Sequence, residues 1–246
     1  MPTIYLSPST QEYNPYINGG NEEYYMNLIA DAMEPYLLSS GIKFVRNNKS
    51  MSAAQSIAAS NSGNYDLHVA LHSNAAPDNL SGTLRGIYVY YARNSSKGRR
   101  AADIFAENLK NIYPYPSLVR VEATTTIGEA VKTRAPAVFL EMGYHDNVDD
   151  ANWIKNNIQS IARNLVQSIT RYFGLPFIEA TAPREAVVRT DYGRLNLRSK
   201  PDLTASVISR IPNGARITVL GEWKGWYVVR YGSNVGYSDG RYIRFV

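Results

Sequence analysis

The chain has 246 residues, enough for one large domain or for a large and a small one, and its 44% hydrophobic and 19% charged residues are typical of a globular protein. It has no cysteine, which excludes disulfides, thiolate metal ligands and cysteine nucleophiles. Its net charge of +5 comes from scattered Lys and Arg residues without a recognisable nucleic-acid-binding motif, so we expect no nucleic-acid partner.

No segment of the sequence predicts insertion into a membrane. A transmembrane helix needs about 18 or more consecutive apolar residues, and the chain has no such run. A strand-like segment, TIYL, begins at Thr3 with neither a basic nor an apolar leader before it. We expect a monomer that is exported by another route, or whose leader has been removed.

The first 175 residues alternate between strand-like and helix-like patterns. Six short segments are rich in β-branched, aromatic and other apolar residues: 3–6, 42–45, 65–71, 86–91, 117–121 and 135–141. Between them, apolar residues at three- and four-residue spacing predict helices over 22–38 and 151–173. This alternation predicts an α/β fold with a mostly parallel sheet flanked by helices.

The pattern changes after Gly174. Residues 176–186 contain proline and small residues and are typical of a linker. From 187 to 246 there are only short strand-like segments separated by turns, which predicts a small all-β barrel. The expected organisation is a domain over 1–175, a linker over 176–186 and a second domain over 187–246.

Two of the predicted strands end in side chains suited to metal chemistry. ALHSNA (70–75) places His72 after one apolar run, and FLEMGYHDN (139–147) places Glu141 after another, with His145 four residues later. In open α/β sheets, functional groups collect beyond the carboxyl ends of the strands, so we expect His72 and Glu141 to meet. A water-activating metal requires imidazole and carboxylate ligands with a nearby base.

These residues also have structural interpretations. Glu141 could form a salt bridge with Arg134, and His145 could be an ordinary loop histidine. His68 lies on the same face of the predicted strand as His72, but a regular strand would separate them by roughly 13 Å. We therefore expect His68 to be a hydrogen-bonded core histidine.

These segments resemble the zinc-dependent N-acetylmuramoyl-L-alanine amidases of amidase family 3, which cleave bacterial peptidoglycan. The resemblance covers roughly residues 1–174 and rests on NEEYYMNL, ALHSNA, GIYVYY and PAVFLEMGYHDN. It implies that zinc is held by a histidine after the first strand, a glutamate opening the first helix and the histidine of the H-x-N-A segment, with a glutamate after the last strand as base. Matched to this sequence, the helix ligand is Glu23, the strand ligand is His72 and the base is Glu141.

Glu23 is a ligand candidate only through this resemblance. Glu22 and Glu23 follow Asn21, a good helix N-cap, and acidic residues in a first helical turn also stabilise the helix dipole.

One ligand of the family pattern is missing. Where the family has a glycine–histidine–glycine turn, this chain reads YLSPSTQEYN. His145 is our preferred third ligand, because it is the other histidine near the expected centre. Two alternatives stay open: Gln11 or a second water completes a weaker site, or the metal is lost. Asn74 is a candidate for orienting substrate or His72, although a turn at the strand end explains it equally well.

The C-terminal segments LNLRSKP (195–201), IPNGARITVLGEWKGWYVVRY (211–231) and VGYSDGRYI (235–243) resemble a bacterial SH3-like wall-binding domain. Four aromatic residues are candidates for a shallow peptide groove or for the core of a small barrel: Trp223, Trp226, Tyr227 and Tyr237. We expect Trp226 in the core. The resemblance implies a hydrolase held on polymeric substrate, with peptidoglycan and anionic wall polymers as partners.

The residues and the two resemblances together predict a peptidoglycan hydrolase, such as an autolysin or an endolysin, that acts on the cell wall. Zinc-activated water, with Glu141 as base, would cleave the amide between N-acetylmuramic acid and the L-alanine of the stem peptide. The rivals are a zinc peptidase cutting elsewhere in the stem peptide, a non-catalytic wall-binding protein on an amidase fold, and a polyanion-binding protein.

Overall fold

The computed structural model describes residues 1–246, and its first 173 residues alternate between strands and helices. The elements of this part are β1 (Thr3–Pro8), α1 (Glu22–Ser39), β2 (Lys43–Arg46), α2 (Ala53–Ser62), β3 (Leu67–Asn74), β4 (Ile87–Ala92), α3 (Ser96–Leu109), β5 (Val119–Thr124), α4 (Gly128–Val131), β6 (Ala137–Tyr144), α5 (Val148–Asn156) and α6 (Ile158–Phe173).

The six strands form one mixed sheet in the order β2-β1-β3-β6-β4-β5. β1 pairs with β3, β3 with β6 and β4 with β5 in parallel, whereas β4 and β6 are antiparallel. The predicted mostly parallel sheet flanked by helices is confirmed. Because β4 runs against β6, the amino end of β4 lies at the same edge as the carboxyl ends of β3 and β6.

β3 and β6 are longer than predicted. They remain paired as far as Asn74 and Tyr144, three residues beyond the predicted ends of both segments. His72 therefore lies inside β3 and Glu141 inside β6, where the ladder of hydrogen bonds fixes the backbone of both residues.

The predicted helix over 151–173 is two helices, α5 and α6. The break falls at Asn157, which has φ −125° and ψ 21°. Its side-chain amide donates to the carbonyl of Trp153 at 2.8 Å, a local bond that competes with helical hydrogen bonding. None of the helices is both long and apolar enough to cross a membrane.

From Arg184 onward the chain forms strands and a single 3-10 turn. The strands are β7 (Arg184–Val188), β8 (Arg194–Arg198), β9 (Val207–Pro212), β10 (Arg216–Trp223), β11 (Trp226–Tyr231), β12 (Asn234–Asp239) and β13 (Ile243–Phe245). They form an antiparallel sheet in the order β13-β7-β10-β11-β12-β8-β9, which agrees with the predicted SH3-like all-β region. Its core consists of aliphatic residues: Ala186, Val188, Leu195, Leu197, Ile211, Ile217, Val219, Val229 and Ile243.

The chain divides into two compact units. The first comprises Thr3–Met33 and Phe44–Tyr172, and the second comprises Met1–Pro2, Glu34–Lys43 and Phe173–Val246. The prediction placed Glu34–Lys43 in the domain over 1–175, whereas the structure groups this segment with the C-terminal residues.

Hydrogen bonds join this segment to the rest of the second unit. The Ser40 hydroxyl accepts from the Ile178 amide at 3.0 Å, and the Tyr237 hydroxyl donates to the Ser40 carbonyl at 2.9 Å.

Candidate active site

The site lies on one face of the mixed sheet. Alternate residues of a strand point to the same face, so His68, Ala70 and His72 of β3 share it. The register pairs His72 with Glu141 on β6, and Glu141 with Tyr88 on β4. Because paired residues on adjacent strands project from the same face, three strands bring these polar side chains into one row near the edge of the sheet.

His72 is buried and held on three sides. Its Nδ1 lies 2.8 Å from Glu22 Oε1, and its Nε2 lies 3.1 Å from Glu129 Oε2. The imidazole stacks on Phe139 with a centroid distance of 4.3 Å. These contacts fix the orientation of the ring.

The glutamate beside His72 is Glu22 and not the predicted Glu23. Glu22 lies on the buried face of α1, four residues before Met26 and seven before Ile29, so its carboxylate points inward. Glu23 is one position round the helix, and its carboxylate lies 3.5 Å from the Lys49 ammonium.

Glu129 of the short helix α4 is a site residue that the sequence analysis did not identify. Its buried carboxylate accepts from the Ser7 hydroxyl at 2.5 Å and lies 3.2 Å from Nε2 of His68, in addition to its contact with His72. His68 is fully buried, and its Nδ1 lies 2.9 Å from the Ser60 hydroxyl. His68 is thus the hydrogen-bonded core histidine that we expected, and one carboxylate connects it to His72.

The two carboxylates set the electrostatics of His72. Burial lowers the pKa of the imidazole, but hydrogen bonds with Glu129 and Glu22 outweigh this effect and raise it to about 10. Burial likewise raises the pKa of each carboxylate, while the bonds to histidine outweigh it and leave both pKa values below the usual range. The interior charges therefore stabilise one another.

Glu141 differs from these paired carboxylates. Its Oε2 is buried and has no hydrogen-bond partner. The pKa of Glu141 is raised to about 8, chiefly by burial; the charge of His72 opposes the increase and that of Glu22 adds to it. The salt bridge to Arg134 does not form, because the Arg134 guanidinium bonds the Asn61 carbonyl instead. An unpaired carboxylate with a pKa near neutral pH is suited to accept and return a proton.

Gln11, in the loop after β1, is the second polar group at Nδ1 of His72, beside Glu22. Its side-chain amide nitrogen lies 3.2 Å from that atom. The two ends of a carboxamide are equivalent in shape, so its oxygen can take the same position. Gln11, Ser9 and His72 also line a cavity of about 280 Å³.

His145 does not join this group. Its Nδ1 lies 3.1 Å from the Ser73 hydroxyl and 3.0 Å from the Ser73 carbonyl oxygen, and its ring stacks on Tyr16 at 5.5 Å. The Asn74 side chain accepts from the backbone amide of Ala75 at 2.9 Å, which is a local turn contact at the end of β3.

The donors around Nδ1 of His72 fit a divalent cation. Glu22 and His72 supply a carboxylate and an imidazole, and the opposite ring nitrogen is bonded to Glu129, as is usual for metal-binding histidines. No group of three or more His, Cys, Asp or Glu side chains is placed to hold a metal ion. The arrangement therefore favours a weak site completed by Gln11 over one completed by His145.

The antiparallel sheet carries a separate groove of about 390 Å³. Trp226, Tyr192 and Leu203 give it an apolar lining, and Arg194 and Arg241 lie at its walls. Tyr192 is 95% exposed, so the groove presents a large aromatic surface to solvent.

One expectation for the aromatic residues is wrong. Tyr227, Val229 and Tyr231 form the core face of β11, so alternation places Trp226 on the opposite face, where it lines the groove and is not part of the core. Tyr237, for which both alternatives were open, is fully buried and so belongs to the interior of this part of the chain.

Two family models match different parts of the chain. The family model described as N-acetylmuramoyl-L-alanine amidase matches residues 10–171, and the model described as bacterial SH3 domain matches residues 193–244. Comparison with curated protein sequences gives no match.

Several solved structures share the fold of the first part. The amidase AmiC2 of Nostoc punctiforme is 15% identical, with a TM-score of 0.63, and the match covers 70% of this chain and 97% of that one. The catalytic domain of the amidase CwlV from Bacillus (Paenibacillus) polymyxa var. colistinus is 17% identical, with a TM-score of 0.61 and coverage of 72% and 100%. The amidase Ami1 from Mycobacterium smegmatis is 18% identical, with a TM-score of 0.61, and the match covers 70% of this chain and 97% of that one.

Proposed function

The chain belongs to the N-acetylmuramoyl-L-alanine amidase family, and on this premise we propose that it hydrolyses the amide between N-acetylmuramic acid and the L-alanine of the peptidoglycan stem peptide. Glu141 acts as the base, and Glu22, His72 and Gln11 hold a zinc ion. Glu22 takes the place of the predicted Glu23, and Gln11 that of His145, because Glu22 and Gln11 are the side chains that lie beside Nδ1 of His72.

The unpartnered oxygen of Glu141 is the observation that supports this function most directly. A buried carboxylate oxygen without a hydrogen bond destabilises the fold, and active sites are where such groups are retained. It belongs to the residue paired across the strands with His72, so base and candidate ligand occupy adjacent strands at one level of the sheet.

Glu129 orients His72 for metal binding. Glu129 holds the His72 ring through Nε2 and leaves Nδ1 facing Glu22 and Gln11. A zinc ion bound by these donors supplies Lewis acidity, which lowers the pKa of water and polarises the amide carbonyl.

Glu141 moves the proton. It takes a proton from the attacking water as the water oxygen adds to the amide carbon. It then returns that proton to the amide nitrogen as the carbon–nitrogen bond breaks. The products are the lactyl carboxylic acid of the muramic sugar and the free amine of L-alanine.

Mass spectrometry of digested peptidoglycan tests the bond that is cut. We expect stem peptides that begin with L-alanine, together with sugars that carry free lactyl groups. New amino termini further along the stem peptide would instead identify a peptidase. Glu141→Gln, which keeps the shape of the side chain but cannot act as a carboxylate base, is the control.

Metal content of the native protein tests the zinc assignment. We expect about one zinc per chain that is removed by a chelator, with activity lost and restored in parallel. Protein that binds peptidoglycan, stays inactive and takes up no zinc, manganese or cobalt would favour a non-catalytic wall-binding protein. The observation that favours this second function is that no three His, Cys, Asp or Glu side chains are placed to hold a metal ion.

We further propose that the groove of the antiparallel sheet holds the protein on its polymeric substrate. The bacterial SH3 match and the exposed Tyr192 beside Trp226 support a peptide-binding surface there. The net charge of +5 favours association with anionic wall polymers. Binding to purified walls, measured for Tyr192→Ala and at rising salt, separates the aromatic contribution from the electrostatic one.

A further inference from the structure

The row that contains His72 and Glu141 continues across two further strands. Glu141 pairs with Tyr88 on β4, and Tyr88 pairs with Arg120 on β5. Neighbouring strands are about 4.8 Å apart, so the backbone of Arg120 lies about 10 Å from that of Glu141. The candidate base is thus followed along one face by a tyrosine and an arginine.

Arg120 is exposed, yet its side chain turns toward the site. Its Nη1 donates to the Tyr88 hydroxyl at 3.3 Å, and the guanidinium carbon lies 5.6 Å from the centre of the Tyr88 ring. Glu122, two residues along β5, lies opposite Tyr90 and forms no ion pair with Arg120. Arg120 is therefore oriented toward Tyr88, and no carboxylate is paired with its positive charge.

Tyrosines form the surface between this charge and Glu141. Tyr88 and Tyr90 stack at 5.9 Å with an interplanar angle of 11°, and Tyr144 meets Tyr88 edge-on at 6.4 Å. Tyr88 and Tyr90 are partly exposed. Rigid aromatic rings beside a reacting group are well suited to support an extended chain.

We infer that Arg120 binds a carboxylate on the peptide side of the scissile amide, with Tyr88 supporting the peptide between Arg120 and Glu141. This inference rests on the proposed amidase function and adds a subsite to it. An extended peptide advances about 3.3 Å per residue, so about 10 Å reaches the second or third residue from the cleaved bond. Arginine is the side chain best matched to a carboxylate, through two parallel N–H bonds.

Two muramoyl dipeptides that differ at one group test the subsite. The second residue carries a carboxylate in one and a carboxamide in the other. We expect the wild-type protein to show a KM about 10-fold lower for the carboxylate substrate, because a charge-assisted bond is lost with the amide. Arg120→Gln should raise the KM for the carboxylate substrate about 10-fold, leave kcat within about 2-fold, and leave the carboxamide substrate unaffected.

Arg93→Gln, an exposed change of the same charge just beyond the other end of β4, is the matched control. Arg120→Lys should recover part of the preference. The same comparison is made as Kd by calorimetry in the Glu141→Gln background, where binding is measured without turnover. Equal Kd values for the two ligands, or an equal effect of Arg120→Gln on both, overturns the subsite. Discrimination in Kd without any cleavage by the wild-type protein overturns the amidase function instead and leaves the subsite in place.

Discussion

The face of β3 and the core of the antiparallel sheet are both shielded from water, but they are built from different groups. β3 buries His68 and His72 with the carboxylate of Glu129 between them. The antiparallel sheet buries only aliphatic side chains in its core cluster, including Leu197 and Val229.

The aliphatic core contributes stability, whereas the charged face of β3 carries the groups proposed for chemistry. Apolar burial contributes about 25 cal/mol per Å² and needs no partners. A buried charge must be paired, and a network with one member missing is less stable than an apolar core. The face that carries Glu141 is therefore less stable than an apolar face would be, because one buried carboxylate oxygen there has no partner.

The largest expected effect comes from Glu141→Gln. General acid–base catalysis contributes about 10²–10⁴ in rate, so we expect kcat to fall by that factor while the protein stays folded. Release of soluble peptidoglycan fragments measures the change. Glu107→Gln, which removes an exposed carboxylate on α3, should leave the rate unchanged. Comparable losses in both variants would remove Glu141 from its role.

The adjacent pair Glu22 and Glu23 tests the ligand assignment. Glu22→Gln removes the carboxylate at His72, so we expect zinc content to drop well below one per chain and activity to fall at least 100-fold. Glu23→Gln removes only the contact with Lys49, away from His72, and should behave as wild type. The reverse result would restore the ligand that the family pattern suggests.

Leu197→Ala tests the aliphatic core. Leu197 is fully buried, and truncation of such a leucine lowers the free energy of unfolding by about 2–5 kcal/mol. Leu203→Ala, at a site that is 65% exposed, should change it by less than about 0.5 kcal/mol. Urea denaturation followed by circular dichroism measures both, and similar values would contradict the core assignment.

Gln11→His supplies the imidazole that the family pattern has after the first strand. If the amide of Gln11 completes the metal site, we expect zinc to bind about 10-fold more tightly, since imidazole is the better zinc ligand. Competition with a chromophoric chelator gives the affinity. His145→Ala should leave it unchanged, and a loss of zinc in that variant would make His145 the third ligand.

The last expected effect is a gain in stability that depends on pH. The pKa of Glu141 is raised to about 8 in the folded protein, so the folded state binds the proton more tightly than the unfolded chain, where the carboxyl titrates near 4.5. The free energy of unfolding therefore falls as pH rises through that window. In metal-free protein at pH 7, about 2.5 pH units above the unfolded pKa, Glu141→Gln should be more stable by up to about 3 kcal/mol, or roughly 6–12 °C in Tm.

The difference should disappear below about pH 3.5, where Glu141 is protonated in both the folded and the unfolded state. A difference that does not vary with pH would show that Glu141 titrates normally in the folded protein.

The sequence could predict the sheet and the meeting of His72 with Glu141, because hydrophobic alternation and strand ends are local signals. The spacing of apolar residues in α1 also indicated that Glu22 faces inward, because it lies four residues before Met26 on the same side of the helix. The match to the family motif selected Glu23 instead.

Glu129 had no such signal. It belongs to a helix of four residues, too short to show a period, and the position of that helix, whose Ala130 packs with Ala70, depends on tertiary packing. The row from Glu141 to Arg120 likewise depends on the register and direction of β4 and β5, which sequence patterns do not specify.

The grouping of Glu34–Lys43 with the C-terminal residues has a consequence for biosynthesis. The end of α1 leaves the ribosome early, but the Ile178 and Tyr237 partners of Ser40 are translated much later. The Ser40 carbonyl must therefore remain bonded to water until most of the polypeptide has been made. In a fragment ending at residue 175 this carbonyl would stay hydrated, because the fragment lacks both Ile178 and Tyr237, the partners of the residue that follows α1.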